Sequence, residues 1–381
     1  MFSSPQLLAR PWQPSRLLLL IPVGLIMVIT VADIVTPGDI VLGPLLVIAP
    51  AVTAWFEGPL VTGIIGATAA AAQAFIGWHS GVLWTRNILV QIFALIVLSL
   101  LIVVFCVVRE RRTRELAQVR SVAEAAQRVL LWPLPHRLGP LQLACVYMAA
   151  EEEAEIGGDL YAAARDAEGT RVVIGDVRGK GLSAIGEAAL LLGAFREAAH
   201  HNAALPELAA SLEQSVTRYL ADFEPTEEAG ERFATVLLLE IPDHDPVARL
   251  ASCGHLAPLL LSADRVATAP ELVPSPPLGV GLTGPDDVTV AALPFGVGDT
   301  LLLYTDGVVE ARDRNGAFYP LTERVAQWAG HSPQSLLHHI QRDLLAHTGG
   351  RLGDDAALIA IRRSPAADRS GGPARLIPHA R

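Results

Sequence analysis

The first 110 residues limit the fold of this chain most strongly, because apolar residues dominate them. Short polar breaks divide this part into four apolar stretches, at 17–35, 40–56, 59–78 and 87–108. About 20 apolar residues in a helix cross the hydrocarbon core of a bilayer, so the second stretch is marginal and the others are long enough. A cleaved signal peptide does not explain them, because further stretches follow the first. The sequence therefore predicts a membrane region at 1–108 with four transmembrane helices, in contact with the lipid bilayer.

Basic residues predict the orientation of this region. Arg10 and Arg16 precede the first stretch, and the segment RERRTR at 109–114 follows the last one. Since Arg and Lys are enriched on the cytoplasmic side, both flanks should be cytoplasmic, which an even number of spans allows. We therefore expect a multi-pass protein of the cell membrane whose N-terminus and C-terminal domain are cytoplasmic. No charged residue except Asp33, near an end, lies within a span, which favours an anchor or a small sensor over a transporter.

Residues 110–131, within a linker at 109–140, have a helical pattern. Its apolar positions recur at alternating steps of three and four, the pattern of a short coiled coil: Leu116, Val119, Ala123, Ala126 and Leu130. Two interpretations stay open. The helix could form a homodimer that passes a signal to the next domain, or it could be a spacer that packs on that domain.

Residues 141–362 have the pattern of a globular α+β domain. Eight short strand-like runs are separated by tight turns, and helical patterns cover 183–200, 205–223 and 332–347. This arrangement favours layered antiparallel sheets over a doubly wound parallel sheet. The net charge of −10 comes from this half, and no basic stripe indicates nucleic-acid binding. Cys106, Cys145 and Cys253 fit no disulfide or zinc pattern, and the tail at 363–381 is expected to be disordered.

Four segments of this domain place aspartate beside glycine at the end of a strand-like run. They are IGGDLY with Asp159, VVIGDVRGKG with Asp176, LLLYTDGVVEA with Asp306, and LGDDAALIAIR with Asp354 and Asp355. Carboxylate oxygens with few histidines or cysteines suit Mg²⁺ or Mn²⁺ better than zinc. The glycines would also let a main-chain carbonyl, that of Val177, face the ion.

Two nucleotide-binding interpretations of the glycine-rich segments fail. In GDVRGKG the spacing between Gly175 and Gly179 is too short for a phosphate-binding loop, and Gly181 stands where Ser or Thr is required. The segment LGVGLTG contains GxGxxG but leads into Pro285 and two aspartates instead of a helix.

The order GGDLY, GDVRGKG, FATVLLLEI, SCGHLAPLLL, PPLGVGL, LLLYTDGVVEA and GDDAALIAI resembles the PPM-type metal-dependent serine/threonine protein phosphatases of the SpoIIE/RsbU branch. The resemblance covers about 125–362. It implies an αββα sandwich of two antiparallel sheets flanked by helices, with two Mn²⁺ or Mg²⁺ ions at one end.

Carried over by position, the resemblance implies that Asp176 bridges two ions, with the Val177 carbonyl beside it. Asp306 and Asp354 would bind one ion each or share one, with Asp355 as the alternative to Asp354. Asp159 would either bind an ion or support a ligand.

In eukaryotic relatives a histidine lies two residues after the bridging aspartate, and here that position is Arg178. Arginine cannot deliver a proton near neutral pH but can clamp a phosphate. We therefore expect Arg178 or Lys180 to bind the phosphoryl group while water protonates the leaving serine, unless both are solvated loop charges. His255 of SCGH is expected to form structural hydrogen bonds.

The resemblance implies a protein phosphatase that removes phosphate from Ser or Thr by attack of a hydroxide held between two metal ions. The substrate that it implies is a cytoplasmic regulator, a STAS-type anti-sigma-factor antagonist, whose dephosphorylation frees a sigma factor. The alternative is a membrane signalling protein whose phosphatase-like domain only binds a partner.

Overall fold

The computed structural model describes residues 16–36, 42–150, 157–179, 181–200, 204–223, 232–262, 265–269, 272–281 and 284–365. The chain divides into two compact units, Met1–Gln118 and Val119–Arg381. Lys180 and most of the predicted disordered tail lie outside the described residues.

The described residues of the N-terminal unit are mainly helical. Its helices are α1 (Leu20–Val35), α2 (Ile48–Phe56), α3 (Pro59–His79) and the first part of α4, which begins at Arg86. By length and composition, two helical segments of the described chain could cross a membrane, Pro59–His79 and Arg86–Glu115. The apolar segments Leu20–Val35 and Gly43–Phe56 are shorter. A helix rises about 1.5 Å per residue, so neither matches the roughly 30 Å hydrocarbon core, and four clear spans are not seen.

The predicted linker helix is the continuation of the last apolar helix. Helix α4 runs without a break over Arg86–Leu130, because this segment contains no Gly or Pro and its charged part is rich in Arg, Glu, Leu and Ala, which favour helices. Near its end, Ala126 and Leu130 pack against Ile185 of the C-terminal unit. At these two positions the predicted seam therefore contacts the next domain, and the homodimer stays a prediction.

The C-terminal unit contains two antiparallel sheets, as predicted. In the six-stranded sheet the strand order is β1 (Arg137–Leu138), β2 (Leu141–Met148), β11 (Ala356–Arg363), β10 (Thr300–Tyr304), β7 (Leu259–Ser262), β8 (Arg265–Thr268). In the five-stranded sheet it is β3 (Leu160–Arg165), β4 (Gly169–Val177), β5 (Ala234–Pro242), β6 (Val247–Cys253), β9 (Ala291–Pro294). Every pairing within these sheets is antiparallel.

Helices cover the outer faces of both sheets. Helices α5 (Leu182–His200) and α6 (Leu205–Phe223) pack on the five-stranded sheet, and α9 (Pro333–His347) packs on β2 and β11. Two short helices, α7 (Asp306–Val309) and α8 (Leu321–Val325), lie between β10 and α9. The three long helices match the predicted helical segments to within one residue at each end, and the layers are those of the predicted αββα sandwich.

Strand β11 shows how the core is built. Ala357, Ile359 and Ile361 belong to one apolar cluster with the strands of the opposite sheet. The residues between them, Leu358 among others, belong to a second cluster with α9. Because side chains alternate across a strand, an uninterrupted apolar run is buried on both faces. This places β11 in the interior of its sheet and fixes the turn that precedes it.

Candidate metal centre

The four glycine–aspartate segments meet at one end of the sandwich. Asp159 directly precedes β3, and Asp176 is the next-to-last residue of the neighbouring strand β4. In the other sheet, Asp306 follows β10, and Asp354 and Asp355 precede the neighbouring β11. Since each pair of strands is antiparallel, the start of one lies beside the end of the other, and both pairs present their aspartates at the same edge.

Thr305 joins the two sheets at this edge. Its hydroxyl donates a hydrogen bond to Oδ2 of Asp159 at 2.9 Å and accepts one from the backbone N–H of Ala357 at 2.9 Å. Both Thr305 and Asp159 are buried. The Asp159 carboxylate is therefore held against the turn that carries Asp306.

Glycine lies beside these aspartates because the turns touch through their backbones. A Cβ at Gly158 would lie 2.3 Å from the carbonyl oxygen of Val177, and one at Gly307 would lie 1.9 Å from that of Asp355. No side chain fits either gap. The glycines thus bring the Val177 carbonyl and the turn of Asp355 to the same small region as the carboxylates.

The site is electrostatically unfavourable without a cation. Burial raises the pKa of Asp176 to about 7, and the carboxylates of Asp306, Asp354 and Asp355 add to the shift. Burial also raises the pKa of Asp159 well above its ordinary value, with a further contribution from Asp176, although the Thr305 hydrogen bond opposes this. The pKa of Asp306 is raised by burial and by Asp354.

A divalent cation fits this donor set. Among the described residues, none of these carboxylates forms an ion pair with Arg, Lys or His, so their mutual repulsion is uncompensated and a cation would relieve it. In the same part of the chain, no three Asp, Glu, His or Cys side chains are already grouped around one ion position. Hard cations complete their coordination with backbone carbonyls and water. The Val177 carbonyl lies in the same small region as the carboxylates.

Asp354 and Asp355 differ in their surroundings. Asp355 is 3% exposed, and three protein donors bind its carboxylate: the hydroxyl of Tyr147 at 2.5 Å and the N–H groups of Ala150 and Gly157 at 2.7 Å each. Asp354 is exposed. It lines a cleft of about 440 Å³ together with Gly307, Glu310, Ala311, Arg312, Thr348, Arg351 and Gly353.

Arg178 lies beside the site and is exposed. Its backbone N–H donates to the carbonyl of Phe233 at 2.9 Å, and its guanidinium lies over the Phe233 ring at 5.1 Å. The side chain is therefore supported on one face by an aromatic ring.

His255 has the structural role expected from the sequence. Its Nε2 lies 3.2 Å from the carbonyl oxygen of Tyr304, and its Nδ1 lies 3.0 Å from the hydroxyl of Thr235. Because a carbonyl only accepts, Nε2 carries the proton and Nδ1 accepts from Thr235. Thr235 lies on β5, opposite Asp176 of β4, so the ring connects the neighbouring strand of Asp176 to the end of the strand before Asp306. Burial lowers the pKa of His255 to about 4.

Sequence reasoning missed several residues that shape the site: Gln127, Tyr147, Thr235 and Thr305. Thr305 is adjacent to a recognised aspartate, but Tyr147 and Asp355 are 208 residues apart. No local motif marks such a pair, and only the pairing of β2 with β11 brings it together.

Comparison with known proteins identifies the domain. A family model described as Stage II sporulation protein E (SpoIIE) matches residues 166–364, which is just over half of the 381-residue chain. The chain belongs to the SpoIIE family. The resemblance suggested by the sequence motifs is thereby confirmed for this domain, whereas the Asp159 turn precedes the matched range.

Solved structures of other proteins share this fold. The RsbU and RsbW domains of Rv1364c from Mycobacterium tuberculosis match with 24% identity and a TM-score of 0.50, over 62% of this chain and 62% of that one. The SiaA-PP2C domain of Pseudomonas aeruginosa matches with 15% identity and a TM-score of 0.52, over 66% of this chain and 98% of that one. The chain thus spans less than two thirds of the first of these proteins. At these identities the likeness concerns the fold, which is that of PP2C-type phosphatase domains.

Proposed function

We propose that this SpoIIE-family protein is a membrane-anchored, metal-dependent protein phosphatase that hydrolyses phosphoserine or phosphothreonine on a cytoplasmic regulator. The observation that carries the proposal is the convergence of Asp159, Asp176, Asp306 and Asp354 at one end of the sandwich. Burial and the neighbouring carboxylates raise the pKa values of Asp159, Asp176 and Asp306, and perturbed carboxylates of this kind concentrate at functional sites.

The residues divide into ligands and supports. Asp176 and the Val177 carbonyl would hold two Mn²⁺ or Mg²⁺ ions together with Asp306 and Asp354. We assign Asp354 rather than Asp355 as the ligand, because three protein donors already bind the Asp355 carboxylate. Asp159 accepts from Thr305 and would either bind an ion or hold the turn that carries Asp306.

A bound pair of divalent ions supplies charge neutralisation at the phosphate and lowers the pKa of water. The contribution of the chain itself is to place the phosphoryl group. Arg178, exposed and stacked on Phe233, would donate hydrogen bonds to phosphate oxygens, as guanidinium groups do. Arginine cannot supply a proton near neutral pH, so water protonates the leaving serine. Lys180 has the same predicted role.

The surface of the N-terminal unit supports membrane anchoring. Large apolar side chains are exposed along its helices, with Trp55 at 89%, Leu60 at 75% and Phe93 at 69%. Many large apolar side chains exposed in this way are typical of a surface that lipid or another apolar partner covers. We propose that residues 1–108 cross the bilayer four times, with both ends cytoplasmic.

The proposed substrate is a phosphorylated STAS-type anti-sigma-factor antagonist, so that dephosphorylation would free a sigma factor. Its support is family membership, together with a structural neighbour that combines RsbU and RsbW domains. The partner in this proposal is a regulatory protein rather than a small metabolite.

Hydrolysis of p-nitrophenyl phosphate and of a phosphoserine-containing STAS protein, with and without Mn²⁺, tests the function. We expect Mn²⁺-dependent phosphate release by the wild type, and its loss in Asp176→Asn. Asp286→Asn is the matched control, because Asp286 is an exposed aspartate outside the site. Binding of the phosphoprotein without any metal-stimulated hydrolysis would instead support the alternative, a binding module without catalysis.

A further inference from the structure

Asp355 links three turns of the candidate site, through its carboxylate and through its backbone. Its Oδ2 accepts from the N–H of Gly157, next to the Asp159 turn, and its Oδ1 accepts from the N–H of Ala150. Its backbone carbonyl is the atom that a Cβ at Gly307 would meet at 1.9 Å, so it contacts the Asp306 turn. It also directly follows Asp354. A displacement of Asp355 would therefore move all three turns.

Tyr147 holds this anchor from the neighbouring strand. In the register of β2 and β11, Tyr147 lies opposite Ala357, two residues beyond Asp355. Its hydroxyl has one proton, which it donates to Asp355 at 2.5 Å. The remaining contact of the hydroxyl, to Nε2 of Gln127 at 2.8 Å, must then be one in which Tyr147 accepts and the amide of Gln127 donates.

Gln127 completes the chain of hydrogen bonds from the end of helix α4. It is 5% exposed, and its Nε2 also lies 3.5 Å from the carbonyl of Gly157. Gln127 thus contacts both the tyrosine that holds Asp355 and the turn before Asp159. The neighbouring Ala126 and Leu130 pack against Ile185, and Leu131 lies in the main apolar core, so this end of the helix is part of the domain.

We propose that Gln127 and Tyr147 are positioning residues of the metal centre, which set the Asp355 anchor and, through it, the separation of the turns that carry Asp159, Asp306 and Asp354. The last turns of the helix that begins in the N-terminal unit are therefore part of the active-site structure. This inference rests on the proposed metal-dependent function, and it adds two residues that contact neither metal nor substrate.

The test uses the full-length chain in detergent with Tyr147→Phe and Gln127→Met, which keep the side-chain volume and remove the hydrogen bonds. The matched control is Tyr161→Phe, because Tyr161 is a buried tyrosine whose hydroxyl has one hydrogen-bond partner among the described residues, the Cys145 thiol at 3.9 Å. Two quantities are measured: the Mn²⁺ concentration that gives half of the metal-induced thermal shift, and deuterium exchange at Ala150 and Gly157 without metal.

We expect both positioning variants to require roughly 10- to 100-fold more Mn²⁺ for half of the thermal shift, the usual effect of losing a group that supports a ligand. In both variants the amides of Ala150 and Gly157 should exchange faster. Tyr161→Phe should change neither quantity. Unchanged exchange and an unchanged Mn²⁺ requirement in Tyr147→Phe and Gln127→Met would overturn the proposal. If one variant does not fold, the other decides.

The two possible failures can be distinguished. If the wild type shows no Mn²⁺-dependent thermal shift or hydrolysis, the proposed function fails, and the exchange of Ala150 and Gly157 still decides whether Gln127 and Tyr147 hold the anchor. If the wild type responds to Mn²⁺ and both variants respond at the same concentration, only the positioning role fails.

Discussion

Replacing His255 tests how the end of the sandwich is held together. The neutral ring donates to the Tyr304 carbonyl and accepts from Thr235, and it is 7% exposed. In the folded protein its pKa falls from 6.5 to about 4 because burial disfavours the charged form. In the unfolded chain the ring binds a proton at the ordinary pKa.

The sign and size of the effect follow from this difference. Because the folded pKa is depressed, the contribution of His255 to stability is complete above its ordinary pKa and is lost as the pH falls towards the folded pKa. From about pH 7.5 to about pH 5, proton binding by the unfolded chain lowers the free energy of unfolding by about 2 kcal/mol. His255→Gln has no such proton equilibrium.

The assay is urea unfolding of a fragment from Val119 to Pro365 at both pH values, for the wild type and for His255→Gln. We expect the stability difference between the two proteins to shrink by about 2 kcal/mol at the lower pH. His338→Gln, at an exposed position on α9, should retain the pH dependence of the wild type. A difference between the wild type and His255→Gln that does not change with pH would refute the buried, neutral state of this ring.

Three further substitutions test the candidate site. Gly158→Ala places a Cβ 2.3 Å from the Val177 carbonyl, so it should cost about 1–3 kcal/mol of unfolding free energy and lower Mn²⁺-dependent hydrolysis, whereas Gly193→Ala, with nothing within 4 Å, should do neither. Thr305→Val removes a hydroxyl that binds Asp159 and Ala357 and should destabilise by about 1–3 kcal/mol. Thr300→Val, whose buried hydroxyl has no partner among the described residues, should be neutral or stabilising, and equal urea midpoints for both threonine variants would contradict this account. Arg178→Ala should raise the KM for a phosphoprotein roughly tenfold, the effect of losing a charge-assisted hydrogen bond of about 1.4 kcal/mol; unchanged KM and turnover would exclude the phosphate clamp.

The sequence predicted most of the elements of the domain, because their patterns are local. The eight strand-like runs all form strands, and the three long helices match the predicted segments closely. The short edge strands β1, β8 and β9 were not predicted, since they have two to four residues and little alternation. The continuity of α4 was not predicted, because the sequence changes from apolar to charged residues at Arg109 although no Gly or Pro breaks the helix there.

The candidate site was only partly accessible from the sequence. The glycine–aspartate segments could be recognised because turns and strand ends have local signatures. The difference between Asp354 and Asp355 could not, since it depends on residues far away in the sequence. Tyr147 and Ala150 approach Asp355 when β2 pairs with β11, and Gly157, which precedes β3, approaches it from the other sheet. The contacts of Thr305 and His255 between the two sheets likewise depend on how the sheets are layered.

The number of Mn²⁺ ions bound by each chain tests the central claim most directly. Isothermal titration of the metal-free wild type with Mn²⁺ should give two ions per chain, as a paired-metal phosphatase requires. Asp176→Asn should bind fewer ions or bind them roughly 10-fold or more weakly, because it removes the carboxylate proposed to bridge them. Absence of saturable Mn²⁺ binding in the wild type, or the same stoichiometry and affinity in Asp176→Asn, would contradict a metal centre at this end of the sandwich.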